Sequence, residues 1–286
     1  WFAKYAGMMK NQKSELLTDA YNRLGDCYYV QADYSNAVVS YDNAIRTGTG
    51  NIDYAMLQKG LALGASGRDS EKLSTLSQLV SSYPNSASKA EASFQIAETY
   101  MKLKQNDRAV NAYNDFLRTY PGSTYAKKAY LNLGLIYFNT GNAELSISNY
   151  KKVISGYPGT PEAENALLGL KNVYIDQNNV DQYYNYVGTL GILSSEDLME
   201  QDDLSYQSAE KVYMQGNYTQ AVQSLRNYIS NHPDGRYLIN AHFYLGDCYY
   251  RANQNAEALS AFDYVIAQPD NNFTEQVLLG ASRIKF

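Results

Sequence analysis

The sequence has few of the residues that build metal centres and disulfide frameworks. Among its 286 residues there are two cysteines, Cys27 and Cys248, and two histidines, His232 and His242. Two cysteines are too few for a disulfide framework, and neither histidine has a Cys, Asp or Glu at a recurring metal-ligand spacing. We therefore expect no metal and no cofactor, and the cysteines do not indicate a redox compartment.

Long apolar runs and basic runs are also missing. No apolar stretch approaches the roughly 20 residues that a transmembrane helix requires. The 24 Lys and Arg are outnumbered by 29 Asp and Glu, which gives a net charge of −5. Because nucleic-acid-binding domains usually carry a basic patch, we expect neither a nucleic-acid partner nor a membrane span in this chain.

Catalytic motifs are absent from the sequence. It contains no GxSxG, Walker A or HExxH motif, and no GxGxxG motif after a predicted strand. The dipeptide Leu133-Gly134 lies inside a helical pattern, so we interpret its glycine as a packing position and not as part of a phosphate loop. The sequence therefore predicts that the chain is not an enzyme.

Proline is scarce, with six residues, whereas tyrosine is abundant, with 29 residues against eight Phe and one Trp. Few prolines leave long segments free to form helices. Tyrosine buries a large ring while its hydroxyl reaches the wet edge of a thin layer. The composition therefore favours an all-α fold built as a thin array of helices.

A repeat of about 37 residues runs through most of the chain. The hexapeptide Leu-Gly-Asp-Cys-Tyr-Tyr occurs at residues 24–29 and again at 245–250. The position five before the glycine of this hexapeptide recurs once in every repeat, as Ala20, Ala55, Ala92, Ala129, Ala166, Leu204 and Ala241. A nearly constant period of this length is typical of solenoid architectures.

Residues 130–158 show the repeating unit most clearly. Two amphipathic segments, 130–138 and 143–155, flank a polar turn that contains Gly141, and Tyr157-Pro158 closes the unit. The apolar residues recur at the spacing of one helix face. Neither segment can bury that face alone, so the unit requires neighbours of the same kind.

The period divides the chain into two groups of units. Residues 1–10 read as the end of a second helix, and five units follow, ending at residue 190. Residues 191–202, which contain Gly191, Ser194-Ser195 and four acidic side chains, are predicted to form a connection or hinge with room for a short helix. Two more units and a truncated helix fill residues 203–286. Because the chain begins without Met and ends inside a helical pattern, we expect it to be part of a longer protein.

These positions resemble the tetratricopeptide repeat family. Its motif has an aromatic residue, Leu-Gly and Tyr in the first helix, a small residue and an aromatic in the second, and a closing Pro. The fourth unit supplies Tyr130, Leu133, Gly134, Tyr137, Ser146, Tyr150 and Pro158. The resemblance implies an all-α fold, a right-handed α-α superhelix of about seven helix-turn-helix repeats. It also implies a non-catalytic scaffold that binds a peptide or protein partner.

The length of the period refines this resemblance. The common repeat has about 34 residues, and the repeat of this chain is about three residues longer. The additional residues fall in turns such as Tyr120-Pro121-Gly122-Ser123. The pattern is similar to that of bacterial cell-envelope members of the family, namely outer-membrane assembly lipoproteins and Tol-Pal accessory proteins. The resemblance implies a role in envelope assembly or maintenance and favours a periplasmic or outer-membrane-associated location, which the sequence of this chain does not itself identify.

The resemblance also places a binding groove on the first helix of each pair. Its register gives the candidate groove residues Tyr29, Phe94, Met101, Leu131, Leu135, Phe138, Leu168, Tyr206, Tyr213, Phe243 and Tyr250. Helix stacking does not account for Leu131, Leu135 and Phe138, so these three are the leading candidates. Clustered exposed apolar residues usually mark a partner site, although residues at such positions also pack against the adjacent first helix.

Two other functions fit the same sequence. Tyr29, Tyr206, Tyr213, Phe243 and Tyr250 would serve a glycan- or peptidoglycan-binding module as stacking platforms. Alternatively, the chain would be a regulatory or docking domain of a larger enzyme whose catalytic domain lies outside it. The sequence does not determine the oligomeric state.

Overall fold

The computed structural model describes residues 2–9 and 14–285, which contain sixteen α-helices and no β-strand. The predicted partial helix at residues 1–10 is α1, although Trp1 and Lys10 lie outside the described residues. The helices are α1 Phe2–Met9, α2 Glu15–Val30, α3 Tyr34–Thr47, α4 Ile52–Ala65, α5 Asp69–Ser82, α6 Lys89–Lys102, α7 Asn106–Thr119, α8 Ala126–Asn139, α9 Ala143–Gly156, α10 Pro161–Asp176, α11 Val180–Thr189, α12 Ser195–Met214, α13 Tyr218–Asn231, α14 Leu238–Arg251, α15 Asn255–Ile266 and α16 Thr274–Lys285.

The turn between the two helices of each pair has the same backbone feature in seven pairs. One residue of the turn adopts a positive φ, between 53° and 77°, and these residues recur at the spacing of the sequence repeat. They are Ala32, Gly67, Lys104, Gly141, Asn178, Gly216 and Asn253. Glycine and asparagine adopt this left-handed conformation most readily, and they fill five of the seven positions. The period found in the sequence is therefore also the period of the backbone.

Within a pair, the two helices approach closely where a small residue of the first helix faces a large residue of the second. A Cβ added to Gly134 would lie 2.6 Å from the ring of Tyr150, and one added to Gly25 would lie 2.5 Å from the ring of Tyr41. The hydroxyl of Ser146 donates a 2.8 Å hydrogen bond to the carbonyl of Gly134. The absence of a side chain at the glycine thus allows the large ring to pack directly on the facing backbone.

The chain divides into two compact units, one ending at Ala166 and the other beginning at Leu167, and the division falls inside α10. The core of the first unit includes a cluster around Phe94, Tyr113, Phe116 and Leu133. The core of the second unit includes two clusters of buried residues. The first contains Tyr206, Leu225, Tyr228 and Leu245, and the second contains Phe262, Val265 and Val277.

The structure differs from the sequence-based expectation at residues 191–202. Helix α11 ends at Thr189 and α12 begins at Ser195, well before the predicted start of the sixth repeat at residue 203. A capping box explains the early start, because the Ser194 hydroxyl accepts the Asp197 N–H at 3.1 Å and the Asp197 carboxylate accepts the Ser194 N–H at 2.8 Å. A hinge at 191–202 remains a prediction, and the division into compact units lies elsewhere in the chain.

Candidate functional site

The most open part of the predicted groove in the first unit is one face of α8. Leu131, Leu135 and Phe138 are spaced i, i+4, i+7 and therefore share that face. Leu135 is 40% exposed, and the other two are half-buried. The core contacts of α8 are made on its opposite side by Leu133 and Ile136, which are almost fully buried.

Two of the predicted groove residues belong to the core, and we remove them from the candidate site. Phe94 is 1% exposed and its ring stacks on Tyr125 with the centroids 4.8 Å apart. Tyr206 is 3% exposed and stacks on Tyr237 at 4.4 Å. In each case the covering ring belongs to the turn before the next first helix, so neither buried ring face is available to a partner.

The spacing from the closing proline is a sequence signal for this covering ring, and the predicted groove residues do not reflect it. Tyr125 and Tyr237 each lie four positions after a closing proline, Pro121 and Pro233. The same spacing from Pro269 gives Phe273, whose ring stacks on Phe243 at 4.3 Å. An aromatic residue at this position therefore predicts that a ring of the preceding first helix is covered.

We call the position four residues after the closing proline the covering position. The covering position for α8 is occupied by a carboxylate. Four positions after Pro158 comes Glu162, and its Oε2 lies 2.9 Å from Nζ of Lys127 in an ion pair that is mostly buried. The Lys127 ammonium beside Glu162 lowers the pKa of that carboxyl. Leu131 has the position in α8 that Phe94 has in α6, and the residue at its covering position is directed to Lys127.

Tyr29 and Met101, the remaining predicted groove residues of the first unit, contact other side chains of that unit. Tyr29 is half-buried and contacts Tyr34 edge-on at 5.4 Å. Met101 is half-buried, and the hydroxyl of Tyr113 lies 3.8 Å from its sulfur. Both therefore contribute to packing within the first unit.

In the second unit, Leu168 of α10 is 60% exposed, while Tyr213, Phe243 and Tyr250 are half-buried. Tyr213 and Tyr244 lie with their ring centroids 4.4 Å apart, and Tyr244 also contacts Phe243 at 5.3 Å. The structure thus brings Tyr213 of α12 and Phe243 of α14 together through Tyr244, which is not among the predicted groove residues.

Carboxylates accompany these rings. The Tyr206 hydroxyl donates to Glu210 at 2.6 Å, and the Tyr213 hydroxyl donates to Asp247 at 2.7 Å. Burial and the nearby Glu210 carboxylate raise the pKa of Tyr244. Burial and the hydrogen bond to Asp247 likewise raise the pKa of Tyr213. These tyrosines therefore stay protonated and act as hydrogen-bond donors at neutral pH.

The two units differ in charge. The residues up to Ala166 include 17 Lys and Arg against 15 Asp and Glu, a net charge of +2. From Leu167 onward there are 7 Lys and Arg against 14 Asp and Glu, a net charge of −7. The mild acidity of the chain is thus concentrated in the second unit, where it would favour partners that carry positive charge.

Neither a metal cluster nor a membrane-spanning helix is present among residues 2–9 and 14–285. No group of three or more His, Cys, Asp or Glu side chains in this part of the chain is arranged to hold a metal ion. None of its helices is both long and apolar enough to cross a bilayer.

Family models decide the classification. Models described as "Tetratricopeptide repeat" match residues 54–86, 91–123, 127–158 and 209–272, together more than half of the chain. The chain belongs to the tetratricopeptide repeat family. The seven helix pairs with a common period within residues 14–285 confirm the predicted fold class, an α-α superhelix of such repeats. No curated protein matches this tetratricopeptide repeat protein in sequence.

Solved structures are similar in fold. A tetratricopeptide repeat protein from Parabacteroides merdae is 15% identical, with a TM-score of 0.50, and the match covers 94% of this chain and 99% of that one. MamA from Desulfovibrio magneticus is 17% identical, with a TM-score of 0.51 over 60% of this chain and 92% of that one. A structure of Naa15/Naa10 bound to HypK has a TM-score of 0.56 at 14% identity, over 94% of this chain and 39% of that one. At these identities the likeness concerns the fold alone.

Proposed function

We propose that this tetratricopeptide repeat protein is a non-catalytic interaction scaffold and that the α8 face formed by Leu131, Leu135 and Phe138 binds a peptide or protein partner. The observation that carries the proposal is the exposure of this apolar face next to a covering position where a charged residue replaces a ring. Leu135 is 40% exposed, and Glu162 of that position pairs with Lys127.

The face suits a partner with an apolar anchor and a polar flank. Apolar side chains at i, i+4 and i+7 form a continuous stripe on a helix, which is the kind of surface that receives a helix or an extended segment. The mostly buried Lys127–Glu162 ion pair borders the same helix and would supply the polar rim that protein interfaces usually have. Two packed helices, α8 and α9, hold the stripe in place, so little ordering would be needed on binding.

The test is a substitution at the centre of the stripe with a matched control on the other helix of the pair. Leu135→Asp introduces a charge on the proposed face, and Leu145→Asp introduces the same charge on α9, where Leu145 is 42% exposed. We expect Leu135→Asp to weaken partner capture by about 30-fold, the loss of a hot-spot residue worth about 2 kcal/mol, while Leu145→Asp has little effect. Capture would be measured by quantitative mass spectrometry of proteins that co-purify from an envelope extract.

Equal helicity and equal urea midpoints would show that both variants are folded. The proposal is wrong if Leu135→Asp retains every partner that the unsubstituted chain captures, or if both variants lose the same partners to the same extent.

We also propose that the scaffold acts in assembly or maintenance of the bacterial cell envelope. The support is the series of Tyr-Pro turns that lengthens the repeat beyond its common length, as in Tyr120-Pro121 and Tyr157-Pro158. Fractionation of cells that express the full-length protein tests this proposal. Recovery in the cytoplasmic fraction alone would contradict it, whereas recovery with periplasm or outer membrane would support it.

A further inference from the structure

Hydrogen bonds from a tyrosine hydroxyl to a carboxylate recur in the second unit, and a positively charged side chain joins most of them. The Tyr184 hydroxyl donates to Glu200 at 2.9 Å. Nζ of Lys171 lies 2.5 Å from the same carboxylate and 5.7 Å from the centroid of the Tyr184 ring. The cation is therefore held both by an ion pair and by the face of an aromatic ring, an arrangement that attracts Lys and Arg.

The same three-part arrangement occurs around Asp247. Tyr213 donates to Asp247 at 2.7 Å, and Nε of Arg251 lies 2.5 Å from that carboxylate. The guanidinium of Arg251 also lies 4.8 Å from the centroid of the Tyr218 ring.

A third example surrounds Asp203. The Tyr237 hydroxyl donates to Asp203 at 3.0 Å, Arg236 pairs with the same carboxylate, and the Arg236 guanidinium lies 5.8 Å from the centroid of the Tyr237 ring. In these three places the chain itself supplies the carboxylate, the tyrosine and the cation.

Around Glu210, the carboxylate and the tyrosines of this arrangement are present without the cation. It accepts the Tyr206 hydroxyl at 2.6 Å and lies close to the hydroxyl of Tyr244. Among the residues that the structure describes, no Lys, Arg or His comes within ion-pairing distance of Glu210. Glu210 and Tyr244 are both half-buried, and so is Tyr213, whose ring contacts Tyr244.

We propose that Glu210, with the rings of Tyr244 and Tyr213, binds a Lys or Arg side chain of an extended peptide segment in a partner protein. An incoming cation would complete the arrangement that Lys171, Arg251 and Arg236 complete elsewhere in the same unit. The net charge of −7 from Leu167 onward favours such a segment over an acidic one. The proposal rests on the proposed scaffold function and assigns the chemistry of a partner to a second surface, on helices other than α8.

The experiment measures binding of two fluorescein-labelled peptides to the purified chain by anisotropy. The first is Gly-Ser-Arg-Gly-Lys-Gly-Ser, and the second replaces its Arg by citrulline and its Lys by acetyl-lysine, which removes both charges and keeps the length. We expect the charged peptide to bind about tenfold more tightly, because it gains both an ion pair and a cation–π contact. Its affinity should fall as salt is raised.

Two variants locate the site. Glu210→Gln should weaken binding of the charged peptide by about tenfold, whereas Glu257→Gln, which removes the same charge from an exposed position on α15, should leave it unchanged. Tyr244→Leu should weaken binding and Tyr244→Phe should retain most of it, because phenylalanine keeps the aromatic ring. Circular dichroism and urea midpoints establish that each variant is folded.

Each alternative outcome has a distinct reading. Equal losses for Glu210→Gln and Glu257→Gln would overturn the site, because the peptide would then be attracted by the net negative charge of the second unit and not by Glu210. Binding of chitotetraose that depends on Tyr244, with no discrimination between the two peptides, would overturn it in favour of glycan binding. Leu135→Asp should not change peptide affinity. If Glu210→Gln has no effect while Leu135→Asp abolishes partner capture, this inference fails and the scaffold function stands.

Discussion

Nε2 of His232 lies 3.0 Å from Oδ1 of Asp181, although the two residues are 51 positions apart in the sequence. The same carboxylate accepts hydrogen bonds from Asn231 at 2.6 Å, Ser205 at 2.8 Å and Gln201 at 2.9 Å. Asp181 thus connects α11 to α12 and to the end of α13. Burial by itself would raise the pKa of Asp181, but the hydrogen bonds, led by that from His232, outweigh burial and hold the pKa well below its usual range.

Asp181→Asn is expected to destabilise the second unit at neutral pH by about 2 kcal/mol, because it replaces one carboxylate oxygen by an amide NH2, which cannot accept hydrogen bonds from the partly buried donors on that side. A carboxyl with a lowered folded-state pKa stabilises the protein above its unfolded pKa of about 3.9, and that stabilisation is lost as the pH falls. The difference between the unsubstituted chain and the variant should therefore shrink as the pH is lowered from about 5 to about 2. Urea denaturation at a series of pH values measures it.

The control for this prediction is Asp263→Asn, at an exposed position on α15. It removes the same charge and should change stability by less than about 0.5 kcal/mol at any pH. A pH-independent difference for Asp181→Asn would contradict the assigned ionisation.

Gly134→Ala is expected to destabilise the first unit by about 1–3 kcal/mol, because its methyl group would lie 2.6 Å from the buried ring of Tyr150 and force the α8–α9 pair apart. Gly156→Ala serves as the comparison, since an added Cβ there meets nothing within 4 Å, and it should be neutral or stabilising by up to about 1 kcal/mol. Chemical denaturation followed by circular dichroism measures both. Equal stabilities for the two variants would show that the helices of this pair do not approach as closely as described.

Lys104→Gly is expected to stabilise the chain by up to about 1 kcal/mol. Lys104 adopts a φ of 57° in the turn between α6 and α7, and a residue with a Cβ is strained in that conformation. Its N–H donates to the Met101 carbonyl at 2.9 Å, and this hydrogen bond survives the substitution. The reciprocal change, Gly141→Ala at a φ of 77°, should destabilise by about 1 kcal/mol. Thermal unfolding measures both stability changes, which should have opposite signs; changes of the same sign would contradict the prediction.

The two cysteines are expected to differ in reactivity although they occupy equivalent positions in the first and seventh repeats. Cys27 is exposed, whereas Cys248 is 1% exposed, and burial together with Asp247 raises the pKa of its thiol to about 12. Iodoacetamide at pH 8 should therefore add one group to the native chain, at Cys27, because the thiolate is the reacting species. Intact-mass measurement of the chain and of Cys27→Ser checks this result, and labelling of native Cys27→Ser at Cys248 would contradict the assigned burial.

Much of the fold could be predicted from the sequence because it depends on contacts within one repeat. Gly134 and Tyr150 lie on the two helices of one pair, and Gly141 lies in the turn between them, so a local pattern of small, large and turn residues predicts the pair. The early start of α12 at Ser195 depends on a cap formed by Ser194 and Asp197, which an acidic and Ser-rich composition obscured.

The candidate site was harder to predict because it depends on contacts between consecutive pairs. Whether a ring of a first helix is open depends on a residue of the following pair, as for Phe94 under Tyr125 and Tyr206 under Tyr237. A register transferred from one repeat does not contain that information. The α8 stripe remains a prediction. Glu162 follows Leu131 at the same distance in the sequence as Tyr125 follows Phe94, so a carboxylate paired with Lys127 replaces the ring at this position.

The close contact between a glycine and a large residue has a consequence for how this chain can change in length. Gly25 and Tyr41, Gly134 and Tyr150, and Gly246 and Phe262 have the same separation in the sequence, and each couple lies within one helix pair. A cut between pairs separates none of them. Repeats with this contact can therefore be duplicated or deleted as modules that keep it, while only the interfaces between neighbouring modules must be rebuilt.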